Sequence, residues 1–92
     1  MKNHSWEENP KWKDLQEIDR GDIVHLKLID IFRYLVKVIV KSVTDAEVVG
    51  IAETIFDYDS QMPLTRGDIL ELVNKELSFK KKYIQKIIKK GQ

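Results

Sequence analysis

The stretch Tyr34-Leu35-Val36-Lys37-Val38-Ile39-Val40-Lys41 decides the fold of this chain, because its side chains alternate in character along the backbone. One set of alternate positions holds Tyr34, Val36, Val38 and Val40, and the other set includes both lysines. Successive side chains of a β-strand point to opposite faces of a sheet, so this period of two is typical of a strand. The stretch therefore predicts a half-buried strand that turns its valines toward a core.

Four neighbouring segments extend the strand prediction in both directions. In Ile23-Val24-His25-Leu26-Lys27-Leu28-Ile29 the apolar side chains alternate with His25 and Lys27, which predicts a strand with those two facing outward. Residues 48–55 predict a third strand, in which Gly50 marks a bulge or a close approach of two backbones. Residues 69–73 and 76–79 are short apolar runs bounded by turn residues, and they predict a fourth and a fifth strand.

The two ends of the chain favour short helical segments. Asn9 is a good helix N-cap, Pro10 suits the first helical position, and Trp12 would share a face with Leu15. At the other end the apolar residues follow helical spacing, which favours an amphipathic helix. These residues are Phe79, Tyr83, Ile84, Ile87 and Ile88. A short closing strand after a tight turn at Lys80-Lys81-Lys82 is the alternative.

A near-repeat links two positions of the chain. Arg20-Gly21-Asp22-Ile23-Val24 and Arg66-Gly67-Asp68-Ile69-Leu70 differ only in the last residue. Glycine accepts the positive φ of a tight turn, and an Asp side chain can bond the backbone that follows it. We expect two equivalent turns, each opening a strand.

Five short strands in so small a chain predict a mainly β fold, a small and strongly bent antiparallel sheet or partly open barrel, with short N- and C-terminal helical segments. We expect residues 1–19 to form an N-terminal helical and aromatic extension, and residues 20–92 to form the barrel with its basic C-terminal segment. Six motifs follow one another along the chain: Gly21-Asp22-Ile23, Tyr34-Leu35-Val36-Lys37-Val38, Val49-Gly50-Ile51, Pro63-Leu64-Thr65-Arg66-Gly67-Asp68-Ile69, Leu77-Ser78-Phe79 and Tyr83-Ile84. With these motifs the chain resembles small SH3-like β-barrel proteins of unknown function from bacteria. The resemblance implies a small five-stranded SH3-like antiparallel barrel and a bacterial setting, but no activity.

Composition narrows the classes of protein. The 92 residues carry 16 Lys and Arg against 15 Asp and Glu, and 42% are hydrophobic, which is typical of one globular domain. No apolar run approaches the roughly 20 residues of a membrane span, so we expect none. The absence of cysteine excludes thiol catalysis and thiolate zinc sites. The first residues lack an apolar signal segment, so we expect a cytoplasmic location.

Motifs that carry chemistry are scarce. His4 and His25 are far apart in the sequence, and no serine lies in a Gly-x-Ser-x-Gly context. Asp57-Tyr58-Asp59-Ser60-Gln61 begins like a calcium loop, but Met62 stands where that loop needs glycine. We therefore expect no enzymatic activity, no cofactor and no metal site.

Protein binding is the function that the pattern favours. Leu35 and Ile39 face outward with Lys37 on the second strand, and an apolar patch of this kind is covered by another segment or by a partner. We expect the protein-binding residues to be Leu35, Lys37, Ile39, Trp6 and Trp12. The partner is another protein or a second copy of the chain.

Nucleic-acid binding is the alternative. Lysines beside aromatic rings can hold single-stranded nucleic acid, with phosphates on the lysines and bases on the rings. The residues concerned are Lys80, Lys81, Lys82, Tyr83, Lys86, Lys89 and Lys90. Against this, the segment has no arginine, and the net charge of +1 is unlike the strongly basic footprint of dedicated nucleic-acid binders.

Overall fold

A computed structural model describes residues 5–29 and 32–91, and within them the chain forms one curled, six-stranded antiparallel sheet. The strands are β1 (Ser5–Trp6), β2 (Ile23–Ile29), β3 (Arg33–Val43), β4 (Val48–Asp57), β5 (Glu76–Phe79) and β6 (Ile84–Lys89). The sheet order is β1-β2-β3-β4-β5. The last strand, β6, lies off this path and pairs with β2, which also pairs with β1 and β3. His4, one of the two histidines considered above, lies outside the described residues.

The three long strands confirm the alternation of the sequence. β2 pairs with β3 from Ile23 opposite Ile39 to Ile29 opposite Arg33, and β3 pairs with β4 along its whole length. The inward side chains of these strands fill the space that the curled sheet encloses. The fully buried ones are Val24, Leu26, Leu28, Val36, Val38, Val40, Val48, Ala52 and Ile55.

Gly50 confirms both expectations for a glycine inside a strand. The register of β3 and β4 shifts next to it, between Val40 and Ser42. A Cβ at Gly50 would lie 2.7 Å from the carbonyl oxygen of Ile39 and closer still to a methyl group of Val38. The two strands can approach this closely only because residue 50 has no side chain.

The prediction of a strand over residues 69–73 is wrong. Asp68–Leu72 forms a 3₁₀ turn whose Leu72 side chain is buried in the core. The edge of β4 that could accept this segment is already occupied. β5 pairs with the first half of β4, and in the second half the Leu64 N–H donates to the Ile55 carbonyl at 2.9 Å. Gly21 and Gly67 both have positive φ, as expected, but the second glycine opens a 3₁₀ turn instead of a strand.

The prediction of an N-terminal helix is also wrong. Only Trp12–Asp14 forms a helical turn, of 3₁₀ type, and Leu15 is already extended with ψ of 153°. Asn9 instead anchors the chain to the C-terminal segment, since its N–H donates to the Lys82 carbonyl at 2.8 Å and its side-chain amide donates to the Ile84 carbonyl at 3.1 Å. A helix of two turns is marginal by itself, so these tertiary bonds prevail.

The C-terminal helix is likewise absent, and the alternative of a closing strand is confirmed. A 3₁₀ turn (Lys81–Tyr83) leads into β6, which pairs with β2 from Ile84 opposite Leu26 to Lys89 opposite Ile23. This pairing has two register shifts, and the one between His25 and Leu26 falls between Ile84 and Ile87, so both side chains contact the core although they are three residues apart. The spacing that mimics a helix is therefore the spacing of a bulged strand. No helix in the described part of the chain is long and apolar enough to cross a bilayer.

Candidate functional site

The side of the sheet that faces away from the core carries an ordered set of side chains, which we call the outer face. Residues opposite each other in antiparallel strands point to the same side, so the pairing alone defines its membership. His25 of β2 lies between Lys37 of β3 and Lys86 of β6. Its members include Ile23, His25, Lys27, Leu35, Lys37, Ile39, Ile51, Thr54, Phe56, Glu76, Lys86 and Lys89.

A shallow groove of about 470 Å³ lies on the outer face, and we call it the outer groove. Its lining residues are His25, Leu35, Tyr58, Gln61, Gln85, Lys86 and Ile88. Leu35 is only 9% exposed although it points outward, so it forms part of the floor. Ile88 is 41% exposed and forms an apolar rim. The groove therefore combines apolar contact surface with amide and ammonium groups.

His25 is the titratable group of the outer groove. Its ring lies 6.3 Å from the ring of Phe56, at an interplanar angle of 52°. Burial lowers the pKa of His25, and the positive charges of Lys86 and Lys37 lower it further. The imidazole is consequently neutral at pH 7, and the fixed positive charge at this position comes from the lysines on either side of it.

The lysines of the outer face differ in their partners. Lys27 forms an ion pair with Glu7 at 3.0 Å and lies 4.1 Å from the centre of the Tyr58 ring. Lys37 forms an ion pair with Glu53 at 3.1 Å. Lys86 forms no ion pair with any residue in 5–29 or 32–91. Among these three lysines, Lys86 is the cation that is open to a carboxylate from outside.

The structure divides the predicted protein-binding residues. Leu35, Lys37 and Ile39 lie together on the outer face of β3, as their alternation predicts. Trp6 lies opposite Leu28 and packs against the core instead. Trp12 lines a separate hollow with Leu15, Ile18 and Lys81.

Sequence reasoning missed Phe56 on the outer face and several residues that line the outer groove. Phe56 continues the outward alternation of β4 and could have been found from that strand. Ile88 and Gln85 could not, because their position requires that β6 is a strand. Tyr58 and Gln61 come from the loop after β4, and only the folded loop brings them to the groove.

The lysines predicted to bind nucleic acid are divided by the structure, since Lys86, Lys89 and Lys90 line one groove along β6 and the other three do not. Lys82 forms an ion pair with Glu8 at 2.7 Å, and Lys90 is bonded to Asp19 and Asp22. Lys86 lines the outer groove, whereas Lys81 lies beside Trp12. The remaining members are the exposed Lys80 and Lys89 and the half-buried Tyr83.

Asp22 is a fully buried carboxylate, and its role is structural. One carboxylate oxygen accepts the N–H of Gly91 at 2.8 Å, while the other accepts the N–H of Asp19 at 2.9 Å and a bond from the Lys90 ammonium. Burial acts to raise the pKa of Asp22, but the bonds from Lys90, Asp19 and Gly91 outweigh it and hold the pKa below its ordinary value. The carboxylate is therefore ionised and ties the end of β6 to the start of β2.

The calcium-like loop after β4 has its own internal partners. Asp57 accepts the N–H of Ser60 at 2.8 Å, and the bonds from Ser60 lower the pKa of Asp57. Asp59 forms an ion pair with Arg33 at 3.2 Å. Within residues 5–29 and 32–91, no three His, Asp or Glu side chains converge in a way that could hold a metal ion.

The outer face around the outer groove thus joins apolar groups, aromatic rings and a cation that has no ion pair among the described residues. Comparison of the chain with protein-family models, with curated proteins and with solved structures finds no match.

Proposed function

We propose that this chain is a non-catalytic protein-binding module and that its contact surface is the outer face, centred on the outer groove. One observation carries the proposal. Leu35, Ile39 and Ile88 place apolar surface beside the lysines of the sheet, and Ile88 at the rim is 41% exposed. Apolar contact surface with a charged surround is the usual composition of a protein interface.

Charge indicates the chemistry of the partner. Lys86 and Lys37 lie on both sides of His25, and their positive charge already disfavours a proton on the imidazole. A carboxylate of a partner would offset this charge. Complementary charge of this kind favours the correct partner and speeds association more than it adds affinity. The proposed partner therefore presents acidic side chains beside apolar ones.

We further propose that the domain is an SH3-like barrel of a bacterial cytoplasmic protein, with residues 1–19 as its extension. The support is the course of β6, which follows a 3₁₀ turn and returns to pair with β2, the first long strand. Bringing the first and last long strands together is how a curled sheet approaches closure. Such a fold supplies a binding surface without dictating its ligand.

The distribution of the lysines favours a protein over a nucleic acid. A single-strand binder needs a continuous basic track beside stacking rings. Here Lys82 is paired with Glu8, and Lys90 is paired with Asp19 and Asp22, so both cations are already matched by carboxylates of the chain itself. Nucleic-acid binding is an outcome that the following experiment distinguishes.

The test is affinity capture from a lysate of the source organism, with one half of the lysate treated with nuclease. Two variants accompany the wild type. Ile88→Glu places a charge on the rim of the outer groove, and Thr65→Glu places the same charge on an exposed loop away from it. Captured proteins are identified by mass spectrometry, purified and titrated against each variant by calorimetry.

The proposal predicts that the same protein is captured from both halves, that Ile88→Glu weakens its binding at least tenfold, and that Thr65→Glu leaves it unchanged. Light scattering of the isolated chain completes the test, since a dimer that Ile88→Glu dissociates would identify a second copy as the partner. Material that disappears with nuclease would overturn the proposal, and so would a partner indifferent to Ile88→Glu.

A further inference from the structure

The outer edge of β6 borders a second groove, which we call the edge groove. It has a volume of about 350 Å³ and lies between β6 and the segment that follows the first 3₁₀ turn. Its lining residues are Asp14, Leu15, Gln16, Lys86, Ile87, Ile88, Lys89 and Lys90. Lys86 and Ile88 line the outer groove as well, so the two grooves meet along β6.

The N-terminal segment covers both ends of β6 but leaves the middle uncovered. At the start of the strand, the Asn9 side chain donates to the carbonyls of Ile84 and Gln85. Just beyond its end, the Lys90 ammonium donates to the carbonyl of Glu17 at 2.7 Å. For residues 86–89, no backbone hydrogen bond to any described residue other than those of β2 is present.

An uncovered strand edge is a template for another strand. Every second residue on such an edge directs its N–H and C=O groups away from the sheet, where an extended peptide can bond to them. Residues 86–89 span about 13 Å at the usual rise of a strand, enough for four residues of a peptide. The edge groove provides open space beside these groups.

We propose that an extended acidic peptide segment of a partner protein adds to this edge as a further antiparallel or parallel strand. The inference rests on the proposed function, because it describes how the protein partner is held. Leu15 and Ile88 offer apolar contacts to alternate side chains of the added strand. Lys86 and Lys89 lie on the same strand, and neither forms an ion pair within the described part of the chain.

Charge selects the acidic peptide over a second copy of this chain. Pairing β6 with the β6 of another copy would bring lysines against lysines, and like charges on neighbouring strands are destabilising. Lysine on an edge strand is a common protection against pairing with a like strand. A peptide with Asp or Glu at the matching positions removes this repulsion and replaces it with attraction.

The test begins with a phage-displayed library of random ten-residue peptides selected on the wild-type chain. We expect the enriched sequences to alternate Asp or Glu with apolar residues and to contain no proline. The best peptide is then synthesised with N-methyl groups on every second amide, in each of the two possible sets. Methylation of the set that faces β6 should weaken binding at least tenfold, and methylation of the other set should have little effect.

A pair of double variants tests the charge. Lys86→Glu with Lys89→Glu should weaken the acidic peptide at least tenfold and favour a lysine-bearing peptide of the same pattern. Lys75→Glu with Lys80→Glu changes the net charge equally on exposed residues outside the edge groove and should leave the affinity within about twofold. Amide NMR spectra of all variants verify that each remains folded.

Failure of this inference is distinguishable from failure of the proposed function. Strand addition would be overturned if both methylated forms of the peptide bound the wild-type chain normally while the Ile39→Glu variant of the chain no longer bound the peptide. The chain would then be a binding module that acts through its side chains. Absence of any enriched peptide would also overturn strand addition, and the capture experiment with Ile88→Glu would then decide the proposed function separately.

Discussion

Replacing Asp22 with alanine should remove a large part of the stability of this domain. The carboxylate is fully buried and accepts bonds from two backbone N–H groups and from Lys90, whose sequence position is 68 residues away. A hydrogen bond to a charged group contributes about 1.5–3 kcal/mol, and such bonds in one cluster are not additive. Removing the carboxylate also leaves the backbone N–H groups of Asp19 and Gly91 without their acceptor, at about 1–3 kcal/mol each, so the total loss is about 3–5 kcal/mol. We expect Asp22→Ala to lower the free energy of unfolding by about that amount.

The loss is large for a domain of this size. Small domains are stable by only about 5–15 kcal/mol, and 1 kcal/mol corresponds to about 4–8 °C in melting temperature at 60–100 residues. We therefore expect a decrease of roughly 12–40 °C. Lys90→Met should cost less, because the Lys90 side chain is 35% exposed and the two backbone N–H groups still bond the carboxylate.

The pH dependence of Asp22→Ala provides an independent check. The bonds to the carboxylate hold the pKa of Asp22 in the folded chain below its ordinary value of 3.8. Its contribution to stability is therefore complete above that ordinary value and is lost as the pH falls through the lower, folded-state pKa. Urea unfolding followed by tryptophan fluorescence, from pH 7 down to pH 2, measures both effects. The reasoning would be refuted if the free energy of unfolding of Asp22→Ala at pH 7 were within about 1 kcal/mol of the wild-type value. It would also be refuted if the variant and the wild type lost the same free energy of unfolding on going from pH 7 to pH 2.

Three further predictions concern other positions. Gly50→Ala should destabilise by about 1–3 kcal/mol or more, because its Cβ meets Ile39 and Val38. Gly67→Ala has open space around its Cβ but should also lose about 1–3 kcal/mol, from backbone strain at φ 121° and ψ 154° alone, and urea midpoints measure both losses. Gly91→Ala should detach the end of β6, because its Cβ would meet the backbone of Gly21. Hydrogen exchange should then become faster at the amide of residue 91, which bonds Asp22 in the wild type, while the amides of β4 stay protected. The wild type should lose stability as the pH falls below about 6.5, because burial and two lysines lower the pKa of His25 in the folded chain and the unfolded chain therefore takes up the proton first. Thermal unfolding of His25→Gln should show a weaker dependence of stability on pH in this range. An unchanged dependence would contradict the prediction.

Local patterns account for the strands that were predicted correctly. In β2 and β3 the alternation of apolar and polar side chains is a property of neighbouring residues, so it can be seen without knowing what lies beside them. The same alternation placed Leu35, Lys37 and Ile39 on one face before any partner strand was known. Gly50 predicted a local feature in the same way, because a glycine inside a strand usually marks a β-bulge or a close approach of two backbones.

Residues whose conformation depends on distant partners were predicted less well. Ile84, Ile87 and Ile88 have the spacing of an amphipathic helix, and the available edge of β2 makes them a bulged strand instead. Residues 69–73 are apolar enough for a strand, but no edge of β4 is open to them. Asn9 would cap a helix in isolation, yet its side chain bonds the carbonyl of Ile84.

The sequence by itself thus determined the mainly β class, the strands β2 and β3 with their inner and outer faces, and the absence of thiol chemistry. The tertiary structure decided the role of Asp22, the fate of both chain ends and the two grooves that meet at β6. The physical reason is the range of the interactions involved. Side-chain alternation acts between adjacent residues, whereas strand edges, buried ion pairs and grooves exist only when segments far apart in the chain are brought together.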